Sequence, residues 1–166
     1  MDHPLWLRYA GRMTHRIYFV CLGNICRSPT AHGIMERIVQ DRGLDVEVEG
    51  AGTGGWHVGD PPDRRMQAAA RAAGYDLSHL RSQKFSPADF ARFDAIYAMD
   101  RANLRDIEAQ RPEGSTTPVS LFLSHGPSGR DEVPDPYYDG GFAAVVKMVE
   151  QTCEALADEI EAHGRG

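Results

Sequence analysis

Five residues separate Cys21 from Arg27, within the stretch Val20-Cys21-Leu22-Gly23-Asn24-Ile25-Cys26-Arg27-Ser28-Pro29. The apolar run Ile17-Tyr18-Phe19-Val20 precedes it and a helical pattern follows, which puts the cysteine at a strand's end and the arginine at a helix's start. A loop this short has to curl, so its backbone N–H groups point at one centre, and Gly23 and Asn24 tolerate the left-handed conformations this requires. The helix N-terminus adds partial positive charge and unpaired N–H groups. Arg27 adds a planar fork able to grip two phosphate oxygens. In that field the Cys21 thiol is expected to ionise below its free value and to act as a nucleophile at neutral pH. A plainer reading makes Cys21 a small buried hydrophobe and Ser28-Pro29 a helix cap with its first-turn proline. It leaves unexplained why cysteine, glycine, asparagine and arginine meet at one strand-to-helix turn.

The ungapped run Cys-x-Gly-Asn-Ile-Cys-Arg-Ser-Pro resembles the active-site signature of the low-molecular-weight protein tyrosine phosphatases. The resemblance extends from about Ile17 to the final helix. It implies hydrolysis of phosphotyrosine monoesters in proteins through a phosphocysteine, with no metal and no cofactor. Cys21 would be the nucleophile and Arg27 the phosphate grip. Leu22, Gly23, Asn24, Ile25, Cys26 and Ser28 would complete the binding loop, with Ser28 bonded to the sulfur.

The second reactive group is expected far along the chain, in Glu132-Val133-Pro134-Asp135-Pro136-Tyr137-Tyr138-Asp139. In an open parallel sheet the loops after the strands' carboxyl ends gather over one crevice, so this one should arrive above the phosphate loop. A phenolate has a conjugate acid of pKa about 10 and leaves better with a positioned acid beside it. Asp135, stiffened by a proline on each side, suits that task. Asp-Pro-Tyr-Tyr also matches the family's general-acid motif, and Tyr137 and Tyr138 would wall the cleft, where flat rings can stack on a substrate ring. Trp56 lies in the glycine- and proline-rich loop Gly50–Pro62. It reads either as a plug over the core or, as the resemblance implies, as an aromatic wall of the cleft, while His57 beside it reads as solvated. The resemblance places a histidine at His79 that bonds toward the phosphate loop, a strut behind Asn24 and Ser28. Asp100 reads as a helix cap. His32 stands where many relatives carry glutamate.

These groups need a scaffold, and the periodicities supply one. Ala31, Ile34, Met35 and Ile38 recur at helical spacing up to Gly43, and Val46 and Val48 then alternate with glutamates. Strand, helix and strand in this order make a right-handed crossover with parallel strands. Further helices are expected from Asp60-Pro61-Pro62-Asp63, Ser86 and Asp100, strands over Ala95–Ala98 and Pro118–Leu123, and a long final helix with Cys153 on its apolar stripe. The expected fold is α/β: a single-domain three-layer sandwich with a parallel sheet of about four strands, flanked by helices. Residues 16–166 form the domain, and residues 1–15 read as an N-terminal extension open to disorder.

With 166 residues and a net charge of −6 the chain suits one core and not a nucleic-acid binder. No apolar run approaches a membrane span. Three cysteines without disulfide or zinc spacing suit a reducing cytoplasm. The partner expected is a tyrosine-phosphorylated protein, met by a monomer or weak dimer.

Rival readings share the scaffold. Arginine phosphatases tend to carry threonine where this chain has Ile25, whose larger apolar side chain favours an aromatic substrate. Arsenate reductases need a further redox cysteine pair, and only Cys153 remains for one. A non-catalytic phosphate-binding module would lack the nucleophile or the acid. Cys21 and Cys26 share one small loop, which predicts a reversible disulfide once Cys21 is oxidised. Peptide mass mapping after mild peroxide should find the Cys21–Cys26 bridge.

Overall fold

A computed structural model describes residues 14–164. The first thirteen residues, most of the expected extension, lie outside that range. Thr14 and His15 already belong to the domain: the Thr14 hydroxyl donates to Asp45, and β1 starts at His15.

The chain runs β1 (His15–Cys21), α1 (Arg27–Arg42), β2 (Val46–Gly52), α2 (Arg64–Ala72), the one-turn α3 (Asp89–Arg92), β3 (Ala95–Ala98) and α4 (Arg101–Glu108). After these come β4 (Val119–Leu121), a 3-10 turn (Phe122–His125), the one-turn α5 (Pro136–Asp139) and α6 (Phe142–Gly164). The four strands form a parallel sheet in the order β2-β1-β3-β4. β1 is central, and Ile17-Tyr18-Phe19-Val20 is fully buried, as an unbroken apolar run in a sheet covered on both faces should be. Its side chains alternate between two cores. Ile17, Phe19 and Cys21 face α1 and α6, while Tyr18 and Val20 face Phe85, Phe90, Phe93, Ile96 and Ile107.

Gly43 closes α1 in the left-handed conformation at φ 64°, where a glycine pays no steric cost. Arg42 in its last turn donates to Asp158 and Glu161 at 2.8 and 2.9 Å and to Glu154 at 2.6 Å, tying α1 to α6. Asp63 caps α2 through its carboxylate, as its position before the apolar residues predicts.

The expected strand over Pro118–Leu123 stops at Leu121. Phe122 and Leu123 are both fully buried in the same cluster. Consecutive strand residues point to opposite faces, so only a tighter turn can send both inward. Phe122 then meets Phe19 edge-on at 5.3 Å.

Beneath the other face Asp89 is buried and accepts from the Tyr18 hydroxyl at 3.0 Å, the Ser86 N–H at 2.9 Å and Arg92 at 2.7 Å. Burial, and after it the Asp89 charge, push the Tyr18 hydroxyl well above its ordinary pKa, so it stays a donor. Asp89→Ala should therefore cost about 2–3 kcal/mol, because a buried phenol loses its acceptor, against about 1 kcal/mol for Tyr18→Phe. Urea midpoints at constant m value check the ranking.

Candidate active site

β1 ends at Cys21 and α1 begins at Arg27, so residues 22–26 must bend the chain within a few ångströms. Asn24 makes the bend: among the described residues it is the one non-glycine at positive φ, 57°. Asparagine tolerates that region, and here both ends of its carboxamide and its backbone N–H are engaged. Its carboxamide oxygen accepts from the Gln83 N–H at 3.0 Å, its Nδ2 donates to Ser28 Oγ at 2.6 Å, and its N–H donates to Cys21 Sγ at 3.3 Å.

Donors outside the loop take its carbonyls. Thr53 N–H donates to Cys21 O and Gly54 N–H to Leu22 O, both at 2.9 Å, and Asp63 N–H donates to Ile25 O at 2.8 Å. Ser82 Oγ donates to Gly23 O at 3.0 Å. Peptide planes fixed this way turn their N–H groups to the opposite side, and that of Asn24 reaches the sulfur. Gly52 permits the close packing: a β-carbon there would stand 2.6 Å from Leu22 O and 3.1 Å from Asn24 N, both backbone atoms.

The Cys21 sulfur lies 3.0 Å from Ser28 Oγ. Asn24 donates to that oxygen, so the Ser28 hydrogen is free for the sulfur or for Ala51 O at 3.4 Å, and a thiolate would draw it as the acceptor at the shorter distance. Ser28 is therefore not the helix cap of the plainer reading; Cys26 holds that position, and no side chain caps α1. Arg27 is buried. It donates to Asp100 Oδ2 at 2.6 Å and to Val133 O at 3.0 Å, and its other terminal nitrogen lies 3.6 Å from Asp135 Oδ2. Burial alone would lower its pKa, but the neighbouring Cys21, Asp100 and Asp135 more than offset this and raise it.

Asp100 caps α4 by accepting from Asn103 N–H at 2.7 Å, and its second oxygen takes Arg27. The sequence showed only the capping half of this role; the available signal was an aspartate two residues past the end of the buried β3 strand.

Cys21, Leu22, Gly23, Ile25, Cys26 and Arg27 form the floor of a cleft of about 290 Å³, with Asp135 at its side. Asn24 and Ser28 are buried and lie behind the loop instead of lining the cleft. Trp56, Tyr137 and Tyr138 complete the walls. Trp56 is 73 % exposed, which rules out a plug over the core. The two tyrosine rings meet edge-on at 4.9 Å. His57 also lines the cleft, partly exposed, with Nδ1 3.2 Å from Asp60 Oδ2. Burial, followed by the charges of Asp63 and Cys21, pushes the Cys26 thiol up and keeps it protonated. All three cysteines are free thiols.

His79 does not support the loop. It is largely exposed and pairs with Glu36 at 3.2 Å, a carboxylate that His32 also reaches. Ser82 and the Gln83 N–H hold the loop instead. They follow His79 closely in sequence, but the extended segment carries its imidazole outward. Among the described residues no cluster of histidine, cysteine and acidic side chains is arranged to hold a metal ion.

A thiol at the end of a central parallel strand, a curled loop, a buried arginine and a nearby carboxylate meet at the cleft, an arrangement that suits a cysteine-dependent hydrolase acting on a tetrahedral anion. The chain belongs to the low molecular weight phosphotyrosine protein phosphatase family, whose model matches residues 16–165. It is 42 % identical over 152 residues to a low molecular weight protein-tyrosine-phosphatase of Streptomyces coelicolor, covering 87 % of this chain and 92 % of that one. A protein tyrosine phosphatase of Entamoeba histolytica, solved with Hepes in its active site, superposes with a TM-score of 0.85 at 34 % identity, over 90 % of this chain and 99 % of that one. A Drosophila arginine phosphatase superposes at 0.79 with 33 % identity, over 87 % and 96 %.

Gly52→Ala should push Leu22 and Asn24 out of register and lower kcat/KM on the order of 100-fold, the scale of a 1 Å misplacement. A far-UV circular dichroism spectrum unchanged beside that loss would locate the damage in the loop.

Proposed function

We propose that this chain hydrolyses phosphotyrosine monoesters in proteins through a phosphocysteine intermediate. The observation that carries the reading is the setting of one guanidinium: Arg27 belongs to the loop that curls around the Cys21 sulfur, and it lies 3.6 Å from the Asp135 carboxylate over an aromatic-walled cleft. Nucleophile, anion grip and acid thus converge on one phosphoryl group.

In the first step the Cys21 thiolate attacks phosphorus in line, and the S–P bond forms as the P–O bond to the phenol breaks. Arg27 and the loop N–H groups hold the equatorial oxygens. Protonated Asp135 gives its proton to the departing oxygen and is left as a carboxylate. In the second step that carboxylate takes a proton from a water as the water's oxygen attacks phosphorus. The S–P bond breaks, its electron pair returns to sulfur, and Ser28 donates a hydrogen bond to the re-formed thiolate. Phosphate leaves and Asp135 is again protonated. The cationic loop supplies the charge stabilisation a metal would otherwise give.

Leu22, Ile25 and Trp56 give the cleft apolar sides that suit a flat phenyl ring. The Drosophila relative makes a phosphorylated guanidinium the rival substrate. The proposed setting is the cytoplasm, where free thiols persist, with tyrosine-phosphorylated proteins as partners and a monomer or weak dimer as the working form.

A phosphotyrosine peptide and phosphoarginine, assayed side by side, decide between the substrates. Turnover of the peptide alone, abolished in Cys21→Ser and reduced about 10²- to 10⁴-fold in Asp135→Asn, is expected. Turnover of phosphoarginine alone would overturn the tyrosine assignment.

A further inference from the structure

Asp135 sits in a segment without sheet partners: it accepts from the Tyr137 N–H at 3.1 Å and leads the one-turn α5, which ends in Gly140 and Gly141, both at positive φ. Glycines in that region give a hinge little stiffness of its own. Arg27 and the Val133 N–H bond to Met99 O at 2.9 Å hold the start of the segment, and its far end, before the glycines, needs a hold of its own. Behind the cleft wall, the Arg65 guanidinium carbon stands 5.3 Å from the centre of the Tyr137 ring and 4.8 Å from that of Phe142. Tyr137 lies within α5 and Phe142 opens α6, so the two rings flank the glycines between them. The same guanidinium forks onto Asp63, Nε to Oδ1 at 3.1 Å and Nη2 to Oδ2 at 2.8 Å. Asp63 in turn donates its N–H to Ile25 O in the phosphate loop at 2.8 Å. Arg65 does not line the cleft itself.

We infer that Arg65 is a positioning residue: its contacts with Tyr137 and Phe142 clamp the acid segment to the phosphate loop through Asp63 and so set Asp135 beside the leaving oxygen. A cation over an aromatic face is attractive, and two faces on one guanidinium fix its plane better than one. The Asp63 fork fixes it from the other side. This rests on the acid role proposed for Asp135. The capping of α2 survives loss of the side chain, because the Arg65 backbone N–H donates to Asp63 Oδ1 at 2.8 Å.

The test is kcat/KM for a series of aryl phosphates whose phenols differ in acidity, a readout of the step in which the acid acts. Phenols that are poor leaving groups need the proton most. Arg65→Ala should lose about tenfold on phenyl phosphate and less than twofold on 4-nitrophenyl phosphate, a fraction of what a positioned acid supplies. Arg65→Lys, which keeps a cation over the rings but loses the planar face and the fork onto Asp63, should restore the shallow dependence only in part. In an Asp135→Asn background Arg65→Ala should add no further steepening. Equal losses across the series, a lysine variant as steep as the alanine one, or added steepening without the acid would each overturn the inference. If Asp135→Asn alone leaves the dependence shallow, it is the acid assignment that fails. If that variant steepens it and Arg65→Ala does not, the clamp fails.

Discussion

A buried guanidinium is the constraint on which the site depends. Arg27 has almost no contact with solvent, and a buried charge left unpaired costs several kcal/mol. Its partners come from two separate places in the chain: Asp100 after β3, and the Val133–Asp135 segment before α5. Satisfying one side chain therefore gathers the loops at the carboxyl ends of the strands. The same requirement explains why the capping aspartate of α4 uses its second oxygen away from its own helix. The group that assembles the loops is also one that lines the cleft, so under the proposed reaction structure and function coincide in it.

The phosphate loop solves a second accounting problem. Backbone carbonyls close to a core need donors, and those of Cys21, Leu22, Gly23 and Ile25 find them in Thr53, Gly54, Ser82 and Asp63. Because all these donors lie outside the loop, the N–H groups are free to converge on one point inside it. Asn24 adds the left-handed turn and relays a hydrogen bond through Ser28 to the sulfur. A cradle of this kind is rigid before any ligand arrives, which is what electrostatic stabilisation of a developing charge requires.

Around this rigid floor the walls are apolar and open. The large hydrophobic side chains that stay exposed among the described residues are Leu22, Trp56, Val58 and Tyr138, and three of these line the cleft. Exposed apolar surface gathered at one mouth is characteristic of a recognition site. The floor selects the anion by charge, and the rim can select the group that carries it by shape.

Much of this was legible in the sequence, because it is encoded locally. The strand before Cys21, the helix after it, the asparagine bend and the glycine stop at Gly43 each depend on residues within a few positions. Periodicity and conformational preference act over that range. Asp135 was legible for a related reason: two prolines fix its backbone whatever surrounds it. What only the tertiary structure decided was where side chains on irregular segments point. His79 turns outward to Glu36, while Ser82 and Gln83 take the place behind the loop. His57 faces the cleft, Asp100 reaches Arg27, and the last strand tightens into a turn so that Phe122 and Leu123 share one core. In each case the deciding partner comes from a distant stretch of chain, and its approach is set by packing, which no local spacing records.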